Sequence, residues 1–173
     1  MATDEQLMLE FQRGLREAFT ELFQRYREPI YGFFRRRLDD AARAEELAQE
    51  TFLAVLRGIV RYEPRAPFRT YLYGIAFKVL AAEWRKRSRQ EVPLEAAGDP
   101  GDASDPDTAL WVQHAVGRLE AEAREVLLLR EYEQLSYAEI GELLCIPVNT
   151  VRSRLFRARM ALKDLLAPQQ GAL

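Results

Sequence analysis

Apolar residues recur every three or four positions along most of this chain, and alternation of apolar with polar residues is nowhere sustained, so the pattern predicts helices and no strands. Helical periodicity dominates from Asp4 to Arg89, with breaks expected at Gly14, at Pro29, around Asp39 and Asp40, and across Pro64 to Pro67. Thr3 can cap a first helix with Gln6 as its capping-box partner. Phe19, Leu22, Phe23 and Tyr26 form an apolar stripe that resumes after Pro29 with Ile30, Phe33 and Phe34, and these rings are assigned to a core. A third helix is predicted from about Ala41 to Arg57, with Leu47, Phe52 or Val55, and Leu56 turned inward and Glu45, Glu46, Gln49 and Glu50 on its polar side. A fourth runs from about Pro67 to Arg89. Its Phe68, Tyr71, Tyr73, Phe77 and Trp84 cannot all face one way on a helix, so some rings should be accessible beside Arg69, Lys78, Arg85, Lys86, Arg87 and Arg89. Aromatic faces next to cations suit single-stranded nucleic acid, and they equally suit a bundle helix with a basic last turn.

From Ser88 to Thr108 the pattern collapses into prolines, glycines and clustered acids, which predicts a flexible acidic linker over 90–107. Extended, some twenty residues reach roughly 65–70 Å, nearly two turns of duplex DNA. Asp107 or Thr108 is expected to cap the next helix, where Leu110, Val112, Ala115, Val116 and Leu119 precede a second apolar run at Val126 to Leu129. The expected organisation is therefore all-α: an N-terminal helical bundle over 1–89, the linker, a four-helix module over 108–167 and a short disordered tail over 168–173.

Within the second module, Leu135 to Leu162 carries the sharpest pattern of the chain. Ser136 and Glu139 form a capping box, and Ile140, Leu143 and Leu144 follow at helical spacing. Gly141 leaves room for a close crossing, and Pro147 suits the start of a second helix. In that helix Val151, Leu155, Ala158 and Leu162 share one face, while Asn149, Arg152, Ser153, Phe156 and Arg157 line an exposed flank. Arginine can fork onto guanine edges or phosphates, Asn and Ser can bond bases, and Phe can touch a thymine methyl. No acid lies between Asn149 and Leu162 to repel phosphates. The joint pattern is a helix-turn-helix that reads duplex DNA, against a plain basic amphipathic helix on charge alone.

Composition narrows the alternatives. In 173 residues, 48% hydrophobic content with 30% charged suits helical bundles with real cores, and a formal net charge of −2 means that DNA binding must come from segregated charge. Segregation is present, since Arg61 to Arg89 holds many bases against Glu63 and Glu83, while Glu91 to Asp107 holds acids and no base. A lone Cys145 excludes an internal disulfide and a cysteine-cluster zinc site, and its place between apolar helices is read as a packed thiol. His114 is read as an ordinary polar position, and no phosphate loop, G-x-S-x-G or H-E-x-x-H occurs, so no catalytic residue, cofactor or metal is expected. The N-terminus lacks a leader pattern and no run of about 18 apolar residues occurs, so a cytosolic protein without membrane insertion is expected.

Three blocks in order carry a family resemblance. A-R-A-E-E-L-A-Q-E-T-F-L, F-R-T-Y-L-Y-G-I-A-F-K-V-L-A-A-E-W-R-K-R and V-N-T-V-R-S-R-L-F-R-A-R resemble the corresponding blocks of bacterial RNA polymerase sigma factors of the extracytoplasmic function (ECF) type, and the match spans almost the whole length. The resemblance implies that Glu45, Glu46, Gln49, Glu50 and Phe52 meet the β′ clamp helices of core RNA polymerase. It implies that Arg61, Phe68, Arg69, Thr70, Tyr71 and Lys78 capture single-stranded DNA at the downstream (−10) promoter element, with Arg85, Lys86 and Arg87 near the strand backbone. It implies that Asn149, Thr150, Arg152, Ser153, Arg154, Phe156 and Arg157 read the upstream (−35) element while the module sits on the β flap, and that an anti-sigma factor is a partner. No small-molecule substrate is implied.

The chain departs from the family pattern at Lys78, usually Asn, at Ala82, usually Asp, and at Asn149, usually Gly. A lysine only donates, so the base preference at the downstream element stays open. Two other classes also stay open: a dimeric helix-turn-helix repressor or activator, which leaves the N-terminal half without a role, and an enzyme acting on nucleic acid, which lacks a suitable carboxylate or metal set.

Overall fold

The computed structural model describes residues 1–90 and 106–167, and the described residues contain helices and no strands. The chain divides into two compact units, within Met1–Ala97 and within Gly98–Leu173. Residues 91–105 of the linker expected over 90–107, and the tail at 168–173, lie outside the described residues.

The first unit holds α1 (Asp4–Gln12), α2 (Arg16–Arg35), α3 (Ala41–Gly58), a short 3-10 turn (Ile59–Arg61) and α4 (Phe68–Arg89). Thr3 and Gln6 start α1 as a reciprocal pair, with Gln6 N–H donating to Thr3 Oγ1 at 3.2 Å and Thr3 N–H to Gln6 Oε1 at 2.9 Å. Gly14 ends the connection from α1 at φ +106°, a conformation that costs glycine no steric strain.

The break expected at Pro29 does not occur, because α2 runs through it to Arg35. An internal proline costs a helix about 3 kcal/mol. Burying Leu22, Ile30, Phe33 and Phe34 on either side of it returns roughly 1.5–3 kcal/mol each, so tertiary packing outweighs the local penalty. Asp40 then starts α3 by accepting the N–H groups of Ala42 and Arg43 on Oδ1 at 2.9 and 3.2 Å. The core of this unit gathers Met8, Leu22, Phe33, Phe34, Leu47, Val55, Phe68, Leu72 and Leu80. Its buried Thr51 hydroxyl is satisfied by donating to the Leu47 carbonyl at 2.8 Å.

The second unit holds α5 (Pro106–Gly117), α6 (Ala121–Glu131), α7 (Tyr137–Leu144) and α8 (Val148–Leu166). Helix α5 begins at Pro106, two or three residues earlier than a cap at Asp107 or Thr108 requires, so Asp107 and Thr108 lie inside its first turn. A proline at the first helical position loses nothing, since that N–H has no intrahelical acceptor. Val126, Leu129, Leu135, Ile140, Val151, Leu155 and Ala158 are fully buried and join α6, α7 and α8.

Candidate nucleic-acid interface

Local chemistry sets the turn between α7 and α8. Ser136 N–H donates to Glu139 Oε2 at 2.6 Å and Glu139 N–H donates to Ser136 Oγ at 3.1 Å, the reciprocal box expected there. Helix α7 ends at Cys145, whose backbone is left-handed at φ +55°, and Ile146 N–H closes back onto the Gly141 carbonyl at 2.9 Å. A Cβ at Gly141 would lie 2.9 Å from the Ile146 carbonyl oxygen, so only glycine lets the chain fold back this tightly. Pro147 precedes α8 as its cap residue rather than lying in its first turn. Cys145 is exposed, which corrects the packed thiol expected from its apolar neighbours.

On α8, Val151, Leu155 and Ala158 are buried, while Asn149, Arg152, Ser153, Phe156 and Arg157 are exposed on the opposite flank. Phe156 is 64% exposed, a large apolar ring left in water with arginine immediately beside it. Arg152 and Arg157 make no ion pair among the described residues, so their guanidinium groups are available. Ser153 donates its hydroxyl hydrogen to the Asn149 carbonyl at 2.9 Å and keeps its lone pairs for accepting. Thr150 is half-buried, and Arg154 turns toward α6, where it meets Glu122 at 2.9 Å. Arg154 therefore braces the helix from its side.

In the first unit the structure sorts the expected contact residues into surface and core. Arg61, Lys78, Arg85 and Lys86 are exposed, and Arg69 and Tyr71 are half-buried. Phe68 and Thr70 are buried, which removes both side chains from the surface assigned to the single strand. The reason is geometric: the first turn of α4 packs inward, with the Phe68 ring 5.5 Å from Tyr26 and 6.1 Å from Tyr71. Tyr73 is buried too, Phe77 packs on Phe33 at 5.0 Å between ring centroids, and Trp84 remains exposed. Tyr62, which the pattern reading passed over, is a buried anchor with its ring edge-on to Tyr71 at 5.2 Å, and burial pushes its hydroxyl up to about 12.

Glu45, Glu46, Gln49 and Glu50 are exposed on α3 as expected. Phe52 is buried against Phe23 at 4.9 Å, so it supports this face from within and is not available as a contact. The charge on the face is organised by Arg43. Its guanidinium lies 2.6 Å from Glu46 and 3.7 Å from Glu50, and reaches back 2.7 Å to buried Glu83 on α4. Arg87 closes the cluster with Nε 3.0 Å from Glu83, so this arginine is partly committed to the protein. Hydrogen bonds from Arg43 first and Arg87 next hold the Glu83 carboxyl below the usual range against the opposing effect of burial. The spacing of Arg43, Glu46 and Glu50 on one helix face could have revealed half of this cluster; Glu83 could not be found that way.

Among the described residues, two helical units, the second carrying a helix-turn-helix with an exposed arginine stripe, define a protein of the helix-turn-helix class. Family comparison is specific. The model described as Sigma-70 region 2 matches residues 22–90, and that described as Sigma-70, region 4 matches residues 109–162. RNA polymerase sigma-H factor of Pseudomonas aeruginosa is 35% identical, covering 95% of this chain and 94% of that protein. ECF RNA polymerase sigma factor SigW of Bacillus subtilis is 31% identical, covering 89% and 91%. Among solved structures, RpoE of Bartonella quintana, in complex with the anti-sigma factor NepR, shares the fold with a TM-score of 0.75 at 23% identity, covering 88% of this chain and 98% of that one. CnrH, in complex with the cytosolic domain of CnrY, does so with a TM-score of 0.72 at 24% identity, covering 94% and 96%.

The chain belongs to the ECF RNA polymerase sigma factors of the sigma-70 family, and so is a bacterial transcription initiation factor.

Proposed function

We propose that this chain binds core RNA polymerase, directs it to promoters carrying upstream and downstream elements, and assists strand opening at the downstream element. The observation that carries the reading is the α8 flank, where Arg152, Phe156 and Arg157 stand exposed opposite buried Val151, Leu155 and Ala158 on a tightly closed helix-turn-helix. This flank takes the upstream element in the major groove, with Asn149 and Ser153 beside the arginines and Arg154 and Thr150 supporting the helix.

The exposed Glu45, Glu46, Gln49 and Glu50 dock on the β′ clamp helices, and Arg61, Arg69, Tyr71 and Lys78 meet the non-template strand, with Arg85, Lys86 and the outer part of Arg87 along its phosphates. The second unit also meets the β flap. The functional boundaries follow the sequence, with a core-binding and downstream-element domain over 1–89, a linker over 90–107 and an upstream-element domain over 108–167. An anti-sigma factor holds the chain inactive in the cytoplasm until it is released.

In vitro transcription with purified core polymerase tests the reading. Initiation at defined genomic promoters only when this chain is present is the expected result. Absence of chain-dependent initiation, or a two-half-site footprint on duplex DNA without polymerase, would overturn it in favour of a free-standing regulator.

A further inference from the structure

Two side chains of α1 grip the segment that joins α3 to α4. The Gln12 amide nitrogen donates to the carbonyl oxygens of Ile59 at 2.8 Å and Tyr62 at 3.1 Å, with the Val60 carbonyl at 3.4 Å. At the other end of the segment, the Glu5 carboxylate accepts the Phe68 N–H at 2.7 Å. That N–H begins α4, where Pro67 has no side chain able to cap, so the cap arrives from another helix, 63 residues away in sequence. Between these ends Tyr62 is buried, while Val60, Arg61, Glu63, Pro64 and Arg65 are exposed.

Helix α1 is itself anchored by buried Leu7 and Met8, so its hold on the core does not depend on Gln12 or Glu5. What these two polar side chains add is a fixed backbone path for the exposed segment. A segment ordered only when ligand arrives loses affinity to that ordering, and one already held does not. Residues 1–21 also precede the stretch that matches the region 2 model, so the grip comes from outside the matched block.

We propose that Gln12 and Glu5 are positioning residues that hold residues 59–67 in the shape that captures single-stranded promoter DNA, making α1 a determinant of downstream-element affinity. The inference rests on the assignment of this segment to the non-template strand. Neither side chain touches DNA; each acts through the backbone it holds.

The test uses the full chain loaded on core polymerase. It is titrated with a fluorescein-labelled non-template strand from a promoter at which the wild-type chain initiates, and separately with a duplex carrying only the upstream element. Gln12→Met keeps length and charge but removes the N–H donors. Glu5→Ala and Glu5→Gln remove the same charge, and only the second keeps an acceptor oxygen for Phe68 N–H. Gln12→Met and Glu5→Ala are expected to weaken single-strand binding by about fivefold to tenfold, with Glu5→Gln within about twofold of wild type and upstream duplex binding unchanged in all three.

Wild-type single-strand affinity in both Gln12→Met and Glu5→Ala overturns the proposal. Equal loss in Glu5→Ala and Glu5→Gln overturns it for Glu5, because charge rather than the cap is then responsible. Arg61→Ala and Lys78→Ala, measured alongside, separate the two levels of the reading. If these bind weakly while Gln12→Met and Glu5→Ala bind normally, the positioning role alone fails; if all four bind normally, the assignment of the segment to the single strand fails. Thermal melting of helical circular dichroism accompanies each variant, and if Gln12→Met melts early, the two Glu5 variants decide the question between them.

Discussion

The guanidinium of Arg43 on α3 lies 2.7 Å from the carboxylate of Glu83 on α4, a bond across forty residues that ties the helix bearing the exposed acidic face to the one with the basic last turn. Glu83 is buried and accepts from Arg87 as well, so removing Arg43 leaves a buried charge with half of its support. Arg43→Met should therefore destabilise the chain by roughly 1–3 kcal/mol, discounted because Arg43 is itself partly solvated. Urea unfolding of wild type and variant measures the difference.

The same cluster makes stability sensitive to acid. The Glu83 carboxyl is held below its ordinary value of 4.5, so its contribution is complete above that value and is lost as pH falls through the lower folded value. Glu83→Gln should be less stable at neutral pH and should lose less further stability between about pH 5 and pH 2 than wild type does. Parallel acid titration curves for the two proteins would exclude Glu83 as the source.

Gly141 faces the backbone of the turn it closes. A Cβ there would sit 2.9 Å from the Ile146 carbonyl oxygen, which cannot swing away as a side-chain end could. Gly141→Ala should cost about 1–3 kcal/mol by forcing α7 away from α8, and upstream-element binding should fall with it. Thermal melts and duplex binding of the variant together check this.

On α8, Arg152 and Arg157 should behave differently from Arg154, which is tethered to Glu122. Arg152→Ala and Arg157→Ala should each weaken upstream-element use by about 1–3 kcal/mol if a base contact is lost, with no change in melting temperature. Arg154→Ala, which breaks the Glu122 pair, should lower stability by no more than about 1 kcal/mol and leave base preference intact. Competition binding with single-base variants of the element distinguishes these effects.

Cys145 carries the left-handed backbone at the end of α7 without being glycine. For an L side chain this conformation costs roughly 1–2 kcal/mol, offset in part by the greater entropy glycine loses on folding. Cys145→Gly should then be neutral to about 1 kcal/mol more stable and should bind the upstream element as before. A lowered melting temperature would show that the thiol contributes packing its exposure does not suggest.

Much of this architecture is readable from residue order because its signals are local. The Thr3 and Ser136 boxes, the Gly141 turn and the buried face of α8 each depend on side chains within a few positions of one another, and each is found where the pattern puts it. Periodicity cannot say which face of an almost uniformly amphipathic helix meets the core. Phe68, Thr70 and Phe52 read equally well as surface or interior, and packing puts all three inside. Pro29 misled for a related reason, since the penalty is local and the compensation comes from other helices.

Sequence alone determined that the chain is helical, that its charge is segregated, and that α8 presents arginine opposite an apolar face, because these follow from spacings that any helix imposes. Tertiary structure decided which of the candidate residues remain at the surface. It also decided what stands behind them: Arg43 joining the acidic face to Glu83, Arg154 bracing α8 against α6, and Glu5 and Gln12 holding the segment before α4. These pairings span from 32 to 63 positions of sequence, and only burial and hydrogen-bond satisfaction in the folded chain can select them.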